Sequence, residues 1–190
     1  MRIVAGTFGG RIIEAPESDA TRPTYDRVRE ALFSSLFSLR GGMEGAVVLD
    51  AFAGSGALGF ESLSRGAESV YFCDTAKDAR DCILRNAKNL GLTPSSYTLS
   101  SQDVLKHLPS GLSPFDLIFL DPPYAFEVQE IFDFLENLAG KGKVAYGALV
   151  VYEHDLRNND AVMKLVENSS FEMIKRKKYG KTIVDILKFK

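Results

Sequence analysis

The sequence predicts an α/β, doubly wound fold built on a mostly parallel sheet, and three observations lead there. From residue 47 onward, short apolar runs of strand length alternate with stretches of helical periodicity, the pattern of successive β-α-β units. A glycine-rich turn joins the first of those runs to the helix after it. The tail abandons the alternation: 171–178 and 182–189 flank Tyr179-Gly180-Lys181 and read as a closing antiparallel hairpin. Ligands of such sheets collect at the carboxyl ends of the strands.

Taken in order, 2–8 and 11–15 read as a small N-terminal β-hairpin. Gly9-Gly10 is its two-residue turn, since glycine tolerates the positive φ that such turns need. Residues 18–24 are polar, contain Pro23 and read as a loop. From Asp26, the positions Val28, Ala31, Leu32, Ser35, Leu36 and Leu39 recur at helical spacing as far as Gly41-Gly42, with Phe33 and Phe37 expected in the core. Strands then follow at 47–50, 69–73, 97–101, 115–120 and 148–152, which with the hairpin makes seven. Helices are expected at 56–65, 76–90 (closed by Gly91), 128–138 and 160–166. No linker or repeat interrupts this series, so 1–190 reads as a single domain: an N-terminal extension over 1–42 and a cofactor-binding core over 43–190.

Composition narrows the function. At 190 residues, 45% hydrophobic and 25% charged, the chain has the make-up of a soluble domain, with no apolar run near the ~18 residues of a membrane span. The first residues lack a secretory signal, which makes the cytoplasm the expected location. Cys73 and Cys82 stand without metal-ligand spacing, His107 and His154 join no cluster, and no metal is expected. A net charge of −2 gives no general basic footprint, so any nucleic-acid contact must come from local patches or from a substrate presented by other proteins. The one basic run, Lys175-Arg176-Lys177-Lys178 with Lys181, suits an edge strand guarded against aggregation, or an RNA contact. Arg22, Arg27 and Arg29 stand among Asp19, Asp26 and Glu30, a pattern usual for solvated charges on a helix.

Two motifs carry chemistry. In Asp50-Ala51-Phe52-Ala53-Gly54-Ser55-Gly56-Ala57-Leu58-Gly59 the glycines match a dinucleotide turn, and Asp74 stands at the end of the next strand, placed for ribose hydroxyls. Asp50 argues for a different ligand. A pyrophosphate needs the positive end of the helix, where a carboxylate repels it. S-Adenosylmethionine has no phosphate and carries a cationic sulfonium, so it suits an acid-lined turn; a nicotinamide or flavin nucleotide and a purely structural turn are the other readings. The second motif, Asp121-Pro122-Pro123-Tyr124, ends the strand at 115–120. Two prolines stiffen the corner and fix the direction of its carbonyls. The Asp121 carboxylate and the Pro122 carbonyl can hold an aromatic amine by its hydrogens while Tyr124 stacks on the base, which is catalysis by orientation and electrostatics.

With Arg2-Ile3-Val4-Ala5-Gly6, Gly10-Arg11, Thr21-Arg22-Pro23-Thr24, the stretch 26–33 and Ser64-Arg65-Gly66-Ala67, these motifs resemble the RsmD-type 16S ribosomal RNA guanine-N2 methyltransferases. Those enzymes belong to the class I, Rossmann-like, S-adenosylmethionine-dependent superfamily. The resemblance covers nearly the whole chain. The glycine turn and the Pro-Pro corner mark only the superfamily, whereas Arg22-Pro23-Thr24 and 26–33 are specific. It implies a seven-stranded class I methyltransferase sheet and methyl transfer from S-adenosylmethionine to the N2 amine of a guanine. The RNA would be small-subunit ribosomal RNA, free or in an assembling subunit, and the enzyme a monomer.

By position, the resemblance implies that Asp50, Phe52, Ala53, Gly54, Ser55 and Gly56 meet the cofactor, that Asp74 binds its ribose, and that Asp103 lies near its adenine. Thr24 and Arg27 would lie beside the cofactor, Asp121 to Tyr124 would hold the base, and Arg11 and Arg22 would touch RNA backbone. The family usually has Glu where this chain has Asp74. Two other functions remain open: an adenine-N6 DNA methyltransferase, whose amine the same corner suits, and a non-catalytic, cofactor-binding ribosome assembly factor.

Overall fold

The computed structural model describes residues 1–16, 24–109, 113–123 and 125–190. The expected loop at 18–23, together with Arg22 and Tyr124, lies outside the described residues, as does the side chain of Thr24. The chain divides into two units, Met1–Asp103 and Val104–Lys190.

In the first unit, α1 (Thr24–Arg40) precedes β1 (Val47–Asp50), α2 (Ala57–Ser64), β2 (Ser69–Cys73), α3 (Lys77–Leu90) and β3 (Tyr97–Ser100). The strands are all parallel in the order β3-β2-β1, with Val47 paired to Ser69 and Val70 to Tyr97. β1 is buried along its whole length, as an unbroken Val-Val-Leu run requires. Phe60 of α2 packs on Phe72 of β2 with ring centroids 4.9 Å apart. α3 buries the stripe Ala79, Cys82, Ile83, Asn86, Ala87 and Leu90, and it closes on Gly91 in the left-handed conformation at φ 72°.

One expectation is met only in part in this unit and another fails. Residues 2–8 and 11–15 do pair antiparallel, but briefly, around a bridge between Arg2 and Ile12, with Ile3 donating to Arg11, Gly10 to Ile3 and Ile13 to Met1. The amides that should continue the ladder are used elsewhere: Val4 and Ala5 donate to the Glu61 carboxylate, and Thr7 and Phe8 to the backbone oxygen and hydroxyl of Ser64. The segment is therefore a strap laid on α2. On α1, Phe33 is fully buried as expected, but Phe37 is 60% exposed and Leu39 is exposed too. The buried stripe runs through Arg29, Leu32, Phe33, Ser35 and Leu36, so it is centred one residue away from Phe37.

In the second unit the order is β4 (Phe115–Leu120), α4 (Val128–Gly140), β5 (Val144–Asp155), α5 (Asn159–Glu167), β6 (Phe171–Tyr179) and β7 (Thr182–Phe189). The strands lie β4-β5-β7-β6, with β4 and β5 parallel and the other pairs antiparallel. β5 is longer than the expected 148–152. Its pairing with β7 carries it through Glu153, His154 and Asp155, and a bulge opposite Phe115–Leu117 extends it back to Val144. Among the described residues no helix is long and apolar enough to cross a membrane.

Candidate functional site

The glycine turn leaves β1 at Asp50 and enters α2 at Ala57. Gly54 and Gly56 take φ of 52° and 77°, which glycine adopts without strain. At Gly59, an added Cβ would come within 2.2 Å of the Phe72 ring, so α2 approaches β2 only because that side chain is missing. The buried Asp50 carboxylate accepts the Gly59 amide at 3.0 Å, on the first turn of α2. This is where a phosphate would dock in a dinucleotide site, and the protein's own carboxylate already holds it.

Asp74, half-buried at the end of β2, accepts from the Gly54 amide through one oxygen and from the Ala76 amide through the other, both at 2.8 Å. The strand-end acid and the turn are thus one structure, and a carboxylate has lone pairs left for further donors. Between the two acids lies Cys73. Burial, reinforced by the charges of Asp50 and Asp74, pushes its thiol up to about 12. The two flanking carboxylates give this end of the turn a negative character, which favours a cation and disfavours a phosphate. Ala53 continues the sheet by donating to the Cys73 carbonyl at 2.9 Å. Phe52 and Asp103, the latter just after β3, are half-buried in this unit.

Other residues assigned from the sequence have further tasks. Ser55 is buried, its hydroxyl against the Met1 sulfur at 3.5 Å and its carbonyl accepting from Asn86 at 3.1 Å. Asn86 also exchanges hydrogen bonds with the backbone of Glu14, so it clamps the strap and the turn to α3. Arg27 is exposed on α1. Arg29 corrects the solvated-charge expectation: it is buried, donates to the Arg2 carbonyl and lies 3.7 Å from Glu61. Arg11 donates to the carbonyls of Asn89 and Leu90 at the end of α3, which makes it a helix-capping cation. Glu61 and Asn86 were not singled out by motif. Their sequence signals were slight: an acid inside an apolar helix four residues before Arg65, and an amide on the buried stripe of α3.

In the second unit, Asp121 is exposed immediately after β4, and Pro122 is half-buried. The Pro123 carbonyl accepts the Phe126 amide at 3.1 Å, which closes the corner, and the Glu130 side chain caps the Glu127 amide as α4 begins. A further acid joins this corner. Burial first, and then the charge of Asp121, push Glu153 of β5 up to about 8. Deeper in the unit, Asp185 accepts from His154 at 2.9 Å and from two nitrogens of Arg176 at 2.6 and 2.5 Å. Arg176 therefore departs from its basic run, turning away from solvent to a buried carboxylate.

Ribosomal RNA small subunit methyltransferase D of Haemophilus influenzae is 38% identical to this chain over 132 residues, 68% of this chain and 67% of that protein. The Escherichia coli K12 protein of the same name is 32% identical over 158 residues, 83% of this chain and 76% of its own length. A solved Escherichia coli structure, described as a methyltransferase, matches 100% of this chain and 98% of its own, with a TM-score of 0.79 at 26% identity. The fold is therefore the class I, Rossmann-like methyltransferase fold with its seven-stranded mixed sheet, as the family resemblance implies. A family model described as conserved hypothetical protein 95 matches residues 1–188, and the chain belongs to that family.

Proposed function

We propose that this protein uses S-adenosylmethionine to methylate the exocyclic N2 amine of a guanine in small-subunit ribosomal RNA. Ribosomal RNA as the substrate follows the relatives' activity. The observation that carries the chemistry is the exposed Asp121 carboxyl at the carboxyl end of β4, followed by two prolines. Guanine N2 is the amine suggested by the family resemblance; the corner itself selects an exocyclic amine.

The residues of the glycine turn fit the cofactor. Asp50 and Asp74 supply the negative field, and the first turn of α2 is closed to phosphate by the Asp50 carboxylate. In this reading Asp50, Phe52 and Ala53 to Gly56 hold the methionine end, Asp74 the ribose and Asp103 the adenine, with Thr24 and Arg27 alongside. When bound, S-adenosylmethionine supplies an electrophilic methyl group. Asp121 and the Pro122 carbonyl accept the hydrogens of the target amine and so localise its nitrogen lone pair. Tyr124, by its place in the motif, supplies the stacking face. Arg11 and Arg22 are the RNA-backbone candidates, with Arg11 partly committed to α3. The net charge of −2 favours a substrate presented on a partly or fully assembled subunit, with the protein acting as a monomer.

The test is transfer of label from S-adenosylmethionine to naked small-subunit RNA, small subunits, duplex DNA and buffer, followed by nucleoside analysis. N2-methylguanosine from RNA or subunits, lost in Asp121→Ala, is the expected result. Label in DNA adenine overturns the target, and cofactor binding without any transfer overturns the catalytic reading.

A further inference from the structure

The Asp-Pro-Pro corner has a second carboxyl that its motif does not include. β4 and β5 are parallel and Leu120, the last residue of β4, pairs with Tyr152, so Asp121, which leaves β4, and Glu153 of β5 each come one residue after that pair. Residues in that relation project to the same side of a sheet whose strands are ~4.8 Å apart. Asp121 is exposed and Glu153 half-buried. Two carboxyls this close resist joint ionisation, and the proton settles on the one with less water.

β7 sets Val184 opposite Glu153. On the same face of β5, Asp155 is engaged by Arg157 at 3.0 Å. His154 and Asp185 hold each other on the opposite face. Burial is the larger cause of the rise of Glu153 to about 8, and the charge of Asp121 adds to it.

Resting on the base-methylation reading, we propose that Glu153 is the positioning partner of Asp121, the two carboxyls holding one proton between them at neutral pH with Asp121 ionised and Glu153 neutral. The corner then presents a single negative charge to the target amine. On gaining its methyl group the amine loses one proton, which passes to the Asp121 carboxylate and from there to water. The Glu153 proton stays in place throughout.

The first test needs no methyl acceptor. In carboxyl-13C-labelled protein, the Glu153 resonance is assigned by its loss in Glu153→Gln and followed against pH. It is expected to titrate at about 8 and, in Asp121→Asn, to move down while staying above the ordinary glutamate range, because burial remains. Titration in the ordinary glutamate range, or a midpoint indifferent to Asp121→Asn, overturns the pairing.

The second test is single-turnover transfer to the RNA or subunit substrate. Glu153→Ala is expected to slow transfer about tenfold at unchanged cofactor affinity. Glu153→Gln, which mimics the neutral acid, should recover most of that loss and flatten the pH profile around 8. A Gln variant as slow as Ala, or an Ala variant as fast as the wild type, overturns it. Absence of transfer by the wild type defeats the methylation reading instead, and the titration then decides the carboxyl pair by itself.

Discussion

The Asp74 carboxylate grips the amide of Gly54, twenty residues earlier in the chain, at 2.8 Å. That side chain shapes the glycine turn and, in the proposed reading, also accepts from a ribose hydroxyl. Asp74→Ala is expected to weaken S-adenosylmethionine binding by more than tenfold, ~1.4 kcal/mol or more. Asp74→Asn should lose less, because its amide oxygen can still accept from Gly54. Isothermal titration checks both, and equal affinity in Asp74→Ala and wild type would remove Asp74 from the site.

Asp50 holds the Gly59 amide and, in the proposed reading, also supplies charge to the cofactor, and two substitutions separate these tasks. Asp50→Asn keeps an oxygen for the Gly59 amide but discards the charge, so stability should change little while cofactor affinity falls. Asp50→Ala leaves a buried N–H unsatisfied as well, at a cost of about 1–3 kcal/mol. Denaturation and cofactor titration on the same two proteins give the comparison. Undiminished affinity in Asp50→Asn would mean that the negative field does not matter to binding.

How far the sequence was legible follows from the range of the interactions. β1, β2 and β4 were readable because each is an apolar run whose partner strand has the same period, and the turn and corner were readable because glycine and proline act locally. The N-terminal strap was readable only in its short pairing around Arg2 and Ile12. Its amides go to Glu61, 57 and 56 residues away, and local propensity favoured a hairpin. Glu153 and Asp185 were hidden for a related reason: which acid meets which partner depends on strand register, set by pairings such as Leu120 with Tyr152 and Tyr152 with Asp185. In Arg176, a run of basic residues concealed one inward-facing side chain.

Glu61 is the keystone of the strap. Fully buried, it accepts from Val4 at 2.7 Å, Ala5 at 3.1 Å and Arg65 at 2.7 Å. Glu61→Ala would leave two amides and the buried Arg29 without that carboxylate, and removing one partner of such a group typically costs ~3–5 kcal/mol. Urea denaturation should show a loss of that order, and limited proteolysis should cut within residues 1–16 first. A loss below ~1 kcal/mol would mean that the strap is held mainly by Asn86 and Ser64.

The Asp185 network sets a pH dependence whose sign can be derived. Burial raises the Asp185 carboxyl, but hydrogen bonds from Arg176 and His154 outweigh it and hold the group below its ordinary value. The folded state thus binds this proton less readily than the unfolded chain. The network's stabilisation is then fully present above the unfolded value of ~3.9 and is lost as pH falls through the lower folded one. Arg176→Met removes the main donor and lets burial raise the carboxyl, so it should destabilise the protein by ~3–5 kcal/mol at neutral pH. The gap to wild type should narrow on acidification, because protonated Asp185 no longer needs the guanidinium. Denaturation of both proteins across that range measures the gap directly. A gap that stays constant far below the ordinary aspartate value would show that Arg176 acts through packing and not through the carboxylate charge.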